Sequence, residues 1–418
     1  MGIARETSGI GRLILGVFNA AAFAGLSTVV LPLLLDQRGA TKPEIVIFYV
    51  LFALAAMAAS LLGGGWCRRH GRYRTGIALG ATLGLAGTAF LAAPTPGWAI
   101  YPAACGIAVG SLIYPSFVAL LDNGTRSEAR VMSLVRTVFI IGYIAGLGLA
   151  SAMFLAEQTL GPLFHPIYGG MALYGLILLI SVTLPAVAHP KPTTPEDPAA
   201  RGRKKEWWLV ALAVAAVFLL RGADNLRQVY LPLYALSAGI AESVIPSLFA
   251  LTAFVEILVL VPLATAAERY GSVRTLVGVC VIGTLSFLLV AVGTGYGGLL
   301  TAQVLYAVFT AGFQSIAVVM LGQVTRAGVS GGIGAFVAIF HLGSVIGVTV
   351  PLVVPGYSAA IFWIGCGLCL LAAAAVVAVG GDLDPAHRET AKQPSPAAHR
   401  SVEKTVSAPD WHDGPATQ

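Results

Sequence analysis

Five Arg, Asp or Glu side chains stand well inside apolar runs of this 418-residue chain, away from their ends: Arg136, Arg221, Asp224, Arg227 and Glu256. An ionised group at the centre of a membrane helix costs about 2.5–3.5 kcal/mol even on insertion scales, so the charges that remain there mark candidate chemistry. Glu256 follows Thr252-Ala253-Phe254-Val255 and precedes Ile257-Leu258, with no basic residue within a helical turn. Left unpaired in an apolar surround, its carboxyl could load and release a proton near neutral pH, because such a site disfavours the charged form. A permanent partner from another run, Arg136 or Arg221, would make it a structural pair instead. Arg221, Asp224, Asn225 and Gln228 fall within about a quarter-turn on a 100° wheel, with Arg227 beside Asp224. Such a stripe should face a water-filled cavity or a neighbouring helix, and makes Asp224 a second proton-coupling candidate. Alternatively Arg221 and Asp224 neutralise each other at i, i+3.

The same reading gives candidate ligands for a solute. Arg136 needs an acid or an anionic or hydroxyl-rich ligand. Asn19, Gln303 and Gln314 offer hydrogen bonds to hydroxyls, or bridge helices. His341 is either a ligand or a hydrogen-bonded core histidine. The expected solute-binding set is therefore Asn19, Arg136, Arg221, Asn225, Gln228, Gln303, Gln314 and His341.

The elements that must position these residues are membrane spans. The chain is 57% hydrophobic and 11% charged, where a soluble protein carries about a quarter charged residues. Its apolar residues come in runs long enough to cross roughly 30 Å of hydrocarbon as helices. Twelve are predicted, at 10–35, 44–66, 75–93, 98–121, 131–156, 165–188, 207–235, 243–266, 273–293, 297–321, 329–354 and 357–380. The run after Arg5 and Arg12 continues past Ala20-Ala21-Ala22 to Leu35, too long for a cleaved signal segment. Residues 189–206, rich in Pro and charge, read as a linker, and 381–418 as a disordered polar tail.

The chain repeats itself at an offset of 200 residues. Arg69, Gly71, Arg74 and Thr75 recur as Arg269, Gly271, Arg274 and Thr275; Leu31-Pro32-Leu33 and Gly39 recur as Leu231-Pro232-Leu233 and Gly239; Leu121, Thr125 and Arg126 recur as Leu321, Thr325 and Arg326. A constant offset of this kind marks a duplicated half. The domains expected are a six-helix bundle at 1–188, the linker, a second bundle at 207–380, and the tail. The N-terminus and even connections hold sixteen Lys and Arg, the odd connections only Arg38 and Lys42. That asymmetry places both termini in the cytoplasm. The net charge of +6 belongs to these loops and is no sign of a nucleic-acid partner.

An all-α chain of six plus six spans with an intracellular linker resembles the major facilitator superfamily. Its cytoplasmic signature, Gly-x-x-x-Asp-Arg-x-Gly-Arg-x-Arg, is matched by Gly64, Arg69, Gly71, Arg72 and Arg74, with Arg68 in place of the acid. The second copy keeps the acid as Glu268, with Arg269, Gly271 and Arg274, and has Ala264 for the leading glycine. The resemblance implies that these turns lock the halves together in one conformation, and the missing acid weakens that for the first copy. Gly142-Tyr143-Ile144-Ala145-Gly146-Leu147-Gly148 permits close helix contact and is similar to the superfamily's exporter motif without its proline.

A narrower resemblance is to the bacterial sugar efflux transporters. It rests on Glu256 followed by Arg269-Tyr270-Gly271, on Gln303 with Ala307-Val308-Phe309, on Val131-Met132 with Arg136, and on Gly39-Ala40, Pro43 and Phe48-Tyr49. Departures are Ile257-Leu258 for the usual Ile-Pro, and Gly322-Gln323-Val324-Thr325-Arg326 without the usual Gln-Asp pair. The resemblance implies proton-coupled efflux of sugars or small glycosides across a bacterial inner membrane by a monomer. An exporter of antibiotics or other secondary metabolites is the alternative. A membrane-embedded enzyme or a sensor is more distant: the chain has no Gly-x-x-x-x-Gly-Lys-Ser/Thr and no His-Glu-x-x-His. Cys366-Gly367-Leu368-Cys369 has metal spacing but no second pair, so neither metal nor cofactor is expected.

Overall fold

A computed structural model describes residues 2–94, 97–121, 128–184, 207–293, 295–325 and 328–392. The expected linker, the end of the expected tail beyond residue 392, and Arg126 and Arg326 lie outside the described residues. All twelve expected spans are helices: α1 Gly2–Gln37, α2 Lys42–His70, α3 Tyr73–Ala92, α4 Gly97–Leu121, α5 Glu128–Leu160, α6 Pro166–Thr183, α7 Trp207–Ser237, α8 Ile245–Tyr270, α9 Ser272–Ala291, α10 Gly295–Thr325, α11 Gly328–Thr349 and α12 Ile361–Lys392. The tail expectation needs correction at its start, because α12 continues through Lys392. Once a helix is nucleated each added residue brings one more hydrogen bond, and Ala386, Arg388, Glu389 and Ala391 are good helix formers.

The apolar exterior fits a bilayer, with Leu62, Leu179, Val261 and Leu371 among the large side chains left exposed. Helices α1–α6 pack among themselves, and α7–α12 repeat the arrangement. Contacts α1–α5, α1–α6, α3–α4, α3–α6 and α2–α4 have counterparts α7–α11, α7–α12, α9–α10, α9–α12 and α8–α10. The halves meet through α1–α7 and the equivalent pair α2–α11 and α5–α8.

The duplication is visible at backbone level. Pro32 and Pro232 both sit inside a helix. Gly39 (φ 74°) and Gly239 (φ 82°) both adopt the left-handed conformation that ends α1 and α7. Gly39 N–H donates to Asp36 O and Ala40 N–H to Leu35 O; Gly239 and Ile240 repeat this with Leu236 O and Ala235 O.

The glycine motif of α5 presses on α1. A Cβ at Gly146 would lie 1.9 Å from Ala22 O, whereas one at Gly148 meets nothing within 4 Å. Gly146→Ala should therefore force two backbones apart, at about 1–3 kcal/mol. Its thermal unfolding midpoint in detergent should fall well below that of Gly148→Ala; equal midpoints would refute the close contact.

Candidate functional site

Position along α5 and α8 brings Arg136 and Glu256 together across the interface between the halves, where Arg136 Nη2 donates to Glu256 Oε1. The expectation of an unpaired carboxyl is thus overturned, and the alternative partner Arg136 is the one found. Sequence proximity could not show it, because the two residues belong to different halves. Gln314 of α10 joins the pair, its Oε1 3.4 and 3.5 Å from the two Arg136 Nη atoms, and its Nε2 donates to Thr310 Oγ1 at 3.0 Å. The Arg136 side chain keeps 38% of its surface exposed and that of Glu256 12%. The pair is therefore only partly buried.

One face of α5 extends the site. Arg136, Phe139 and Tyr143 are at i, i+3 and i+7 and so align. Phe139 meets Tyr114 of α4 edge-on at 5.1 Å and stacks with Tyr143 at 6.5 Å. Tyr143 Oη lies 3.3 Å from Thr28 Oγ1 of α1. Arg136 is within electrostatic reach of Tyr114, and Glu256 of Tyr143. These aromatic residues escaped the sequence reading because aromatic residues in spans are ordinarily core.

The α7 stripe is a different kind of structure. Asp224 accepts from Arg221 Nη1, from Tyr306 Oη and, at 3.1 Å, from Gln228 Nε2. Arg221 Nε donates to Ser344 Oγ at 2.8 Å, and Asn225 Nδ2 to Ser344 O at 2.9 Å. Arg227 donates to Gln303 Oε1 and to Thr252 Oγ1. Its guanidinium lies 3.8 Å from the Tyr306 ring centroid and 4.4 Å from that of Phe249; Arg221 lies 3.6 Å from that of Phe340. Asp224 is 1% exposed, Gln303 1%, and Arg221 and Asn225 7% each. Among the described residues no buried side-chain polar atom lacks a partner. The network therefore ties α7 to α8, α10 and α11, and of its hydrogen-bonded members only Gln228 is not buried. The open alternatives resolve toward helix bridging: Arg221 and Asp224 neutralise each other, and Asn225 links them to α11.

Among the remaining candidates, Asn19 is buried and donates to Leu15 O on its own helix at 2.7 Å. Gln303 has both ends engaged, its Nε2 donating to Leu299 O at 3.2 Å. Both are therefore withheld from solute in this conformation. His341 is partly buried, its ring edge-on to Phe340 at 6.1 Å. Tyr306 was legible but missed. Gln303, Tyr306, Thr310 and Gln314 sit at i, i+3, i+7 and i+11 on α10, a polar stripe complementing that of α7.

The signature turns are formed as expected locally. Gly64 follows a π-turn at Ala59–Gly63, and Gly71 (φ 63°) and Gly271 (φ 91°) end α2 and α8 with positive φ. Arg74 and Arg12 donate to Val182 O and Thr183 O, closing the C-terminus of α6 within the first half. Arg72 lies over Trp66 and Arg269 over Tyr270. Arg69, Glu268 and Arg274 are exposed. At the opposite rim bonds cross between the halves: Gln37 Nε2 donates to Glu242 Oε1 at 2.8 Å and Ser151 Oγ donates to Ser243 O. The structure is closed at the odd-connection rim.

Two pseudo-symmetric helix bundles with a charged, partly exposed cluster at their interface are an arrangement typical of secondary transporters. The profile of the Major Facilitator Superfamily matches residues 13–240 and 213–411, so the chain belongs to that superfamily. The two matches begin 200 residues apart, as the duplication requires. Among solved structures the chain is similar to nucleoside transporter NupG, at 19% identity and TM-score 0.71 over 88% of this chain and 98% of that one. It is also similar to a peptide transporter in complex with sulfate (12% identity, TM-score 0.69, 89% and 94% covered). A bacterial homologue of the human lysosomal transporter Spinster, inward-facing and unoccupied, gives 13% identity and TM-score 0.60 over 89% and 94%. These likenesses establish the fold. No curated protein matched by sequence.

Proposed function

We propose that this transporter exports sugars or small glycosides in exchange for protons, as a monomer in a bacterial cytoplasmic membrane with both termini inside. The halves 1–188 and 207–380 would rock about the cluster, and the signature turns would lock the cytoplasmic side in the opposite state. The observation that carries the reading is the accessible Arg136–Glu256 pair across the interface, with Gln314 beside it and the Tyr114, Phe139 and Tyr143 rings along the same wall. Arg136 and Gln314 suit solute hydroxyls, and aromatic rings suit the C–H face of a pyranose. Glu256 is the coupling group. A hydroxyl-rich solute takes hydrogen bonds from the charged carboxylate and its neighbours, and a proton arriving on Glu256 removes that acceptor and expels the solute. Asp224, enclosed and triply bonded, serves the fold in this reading.

The test is proton release from purified protein in lightly buffered detergent at pH 7.5 while titrating sugars, glycosides and common drugs. One sugar or glycoside should release protons, and Glu256→Gln should abolish the release. Release by a planar drug alone would favour the secondary-metabolite exporter, for which the same rings would serve. Binding without release would remove proton coupling.

A further inference from the structure

Lys42, the first residue of α2, is held in a cage built by the other half. Its Nζ donates to three carbonyl oxygens of the α11–α12 connection: Pro351 O at 2.8 Å, Val354 O at 2.6 Å and Gly356 O at 2.9 Å. Three donors meet three acceptors, the full capacity of an ammonium. Tyr230 and Tyr357 wall the cage, their ring centroids 5.3 and 5.8 Å from Nζ. The cage is itself braced: Tyr230 Oη donates to Val348 O at 2.6 Å, Ser237 Oγ donates to Tyr357 O at 2.8 Å, and Gly356 takes φ 62°.

The duplication gives this contact a counterpart. The residue 200 positions after Lys42 is Glu242, and 351–357 corresponds to 151–157. Glu242 also reaches the opposite half, accepting from Gln37, while its neighbour Ser243 accepts from Ser151. Gln37 also lies 3.4 Å from His165 Nε2, whose Nδ1 accepts from Ile167 N–H to cap α6. Burial, with Arg38 nearby, pushes the His165 imidazole below its ordinary value. The rim is thus closed by two equivalent connections. One is latched by a cation in a carbonyl cage, the other by neutral hydrogen bonds and a single carboxylate.

We infer that Lys42 is the positioning residue that holds the odd-connection mouth shut, a tethered cation that must leave the carbonyl cage of 351–356 before the halves can part there. Opening that mouth pulls the ammonium from three oxygens and two rings at once, and water must replace them all. Removing the charge therefore shifts the population toward the state open on that side, and the effect extends to the second contact, which Lys42 does not touch, because the halves move as bodies.

The test uses the full chain in nanodiscs with its five cysteines replaced and Ser151→Cys introduced as a probe at the second contact. Lys42→Met and Lys42→Gln should each raise the rate of its modification by a charged maleimide by about tenfold or more. A chain retaining only Cys280, fully buried, should stay unlabelled in the Lys42 variants; labelling there would report unfolding. An unchanged rate at the position-151 probe in both folded variants would overturn the inference and reduce Lys42 to a local tether of the α11–α12 connection. Unfolding of both variants would overturn it also, since a latch is dispensable to the fold. No solute or proton gradient enters this measurement, so it stands or falls apart from the sugar and proton reading.

Discussion

Glu256→Gln is expected to reduce uphill, proton-driven transport to background while leaving the protein folded in the membrane. Glutamine keeps the volume of the side chain and a carbonyl oxygen facing Arg136, but it has no titratable group. Arg136 would lose its counter-charge, yet its side chain is 38% exposed and stays hydrated. With the charge left behind on the more exposed partner, the folding cost should stay below the about 3–5 kcal/mol of breaking one side of a buried pair. Exchange of solute for solute needs no net proton movement and should survive. The measurement is accumulation in vesicles under an imposed pH gradient, beside counterflow without one. Normal uphill transport by the variant would sink the coupling role. Loss of both activities with intact folding would make Glu256 a solute ligand alone.

Asp224→Ala should give the largest loss of stability. It removes the acceptor of Arg221, Tyr306 and Gln228 together, and leaves Arg221 buried without an acid. Breaking one side of a buried pair costs about 3–5 kcal/mol, which would lower the unfolding midpoint of a 418-residue chain by about 3–6 °C. The double variant Arg221→Met with Asp224→Leu removes both charges at similar volume and should recover much of the loss, since desolvation of the charges then costs nothing. Thermal unfolding in detergent checks both. A single variant as stable as the wild type would mean that the α7 network does not hold the second half together.

The contrast between these two carboxyls could not be read from the chain. Both Asp224 and Glu256 stand in apolar runs and both were candidates for proton coupling, the local pattern offering Asp224 a basic residue one turn away and Glu256 none. The structure pairs both, but on different terms. Asp224 is enclosed with its partner one turn away, while Glu256 meets an arginine from the other half at an accessible interface. Gln303 shows the same limit. It sits on a polar stripe, as a solute ligand would, but Arg227 and Thr252 use its oxygen from two other helices.

The sequence by itself determined the helices, the duplication and the turns, because these depend on runs of apolar residues and on local conformation. Twenty apolar residues must be helical in a bilayer to satisfy their own backbone, and Gly39, Gly71, Gly239 and Gly271 occupy positive-φ turn ends wherever the rest of the chain lies. The superfamily followed from these features and their offset. Only the tertiary structure decided which polar side chains are spent on one another and which remain available. That depends on which helix faces which, and partners such as Arg136 and Glu256, 120 residues apart, or Lys42 and Gly356, 314 apart, leave no periodic trace in sequence. A buried polar group is satisfied by whatever packing brings within 3 Å, and packing is a property of the assembled halves.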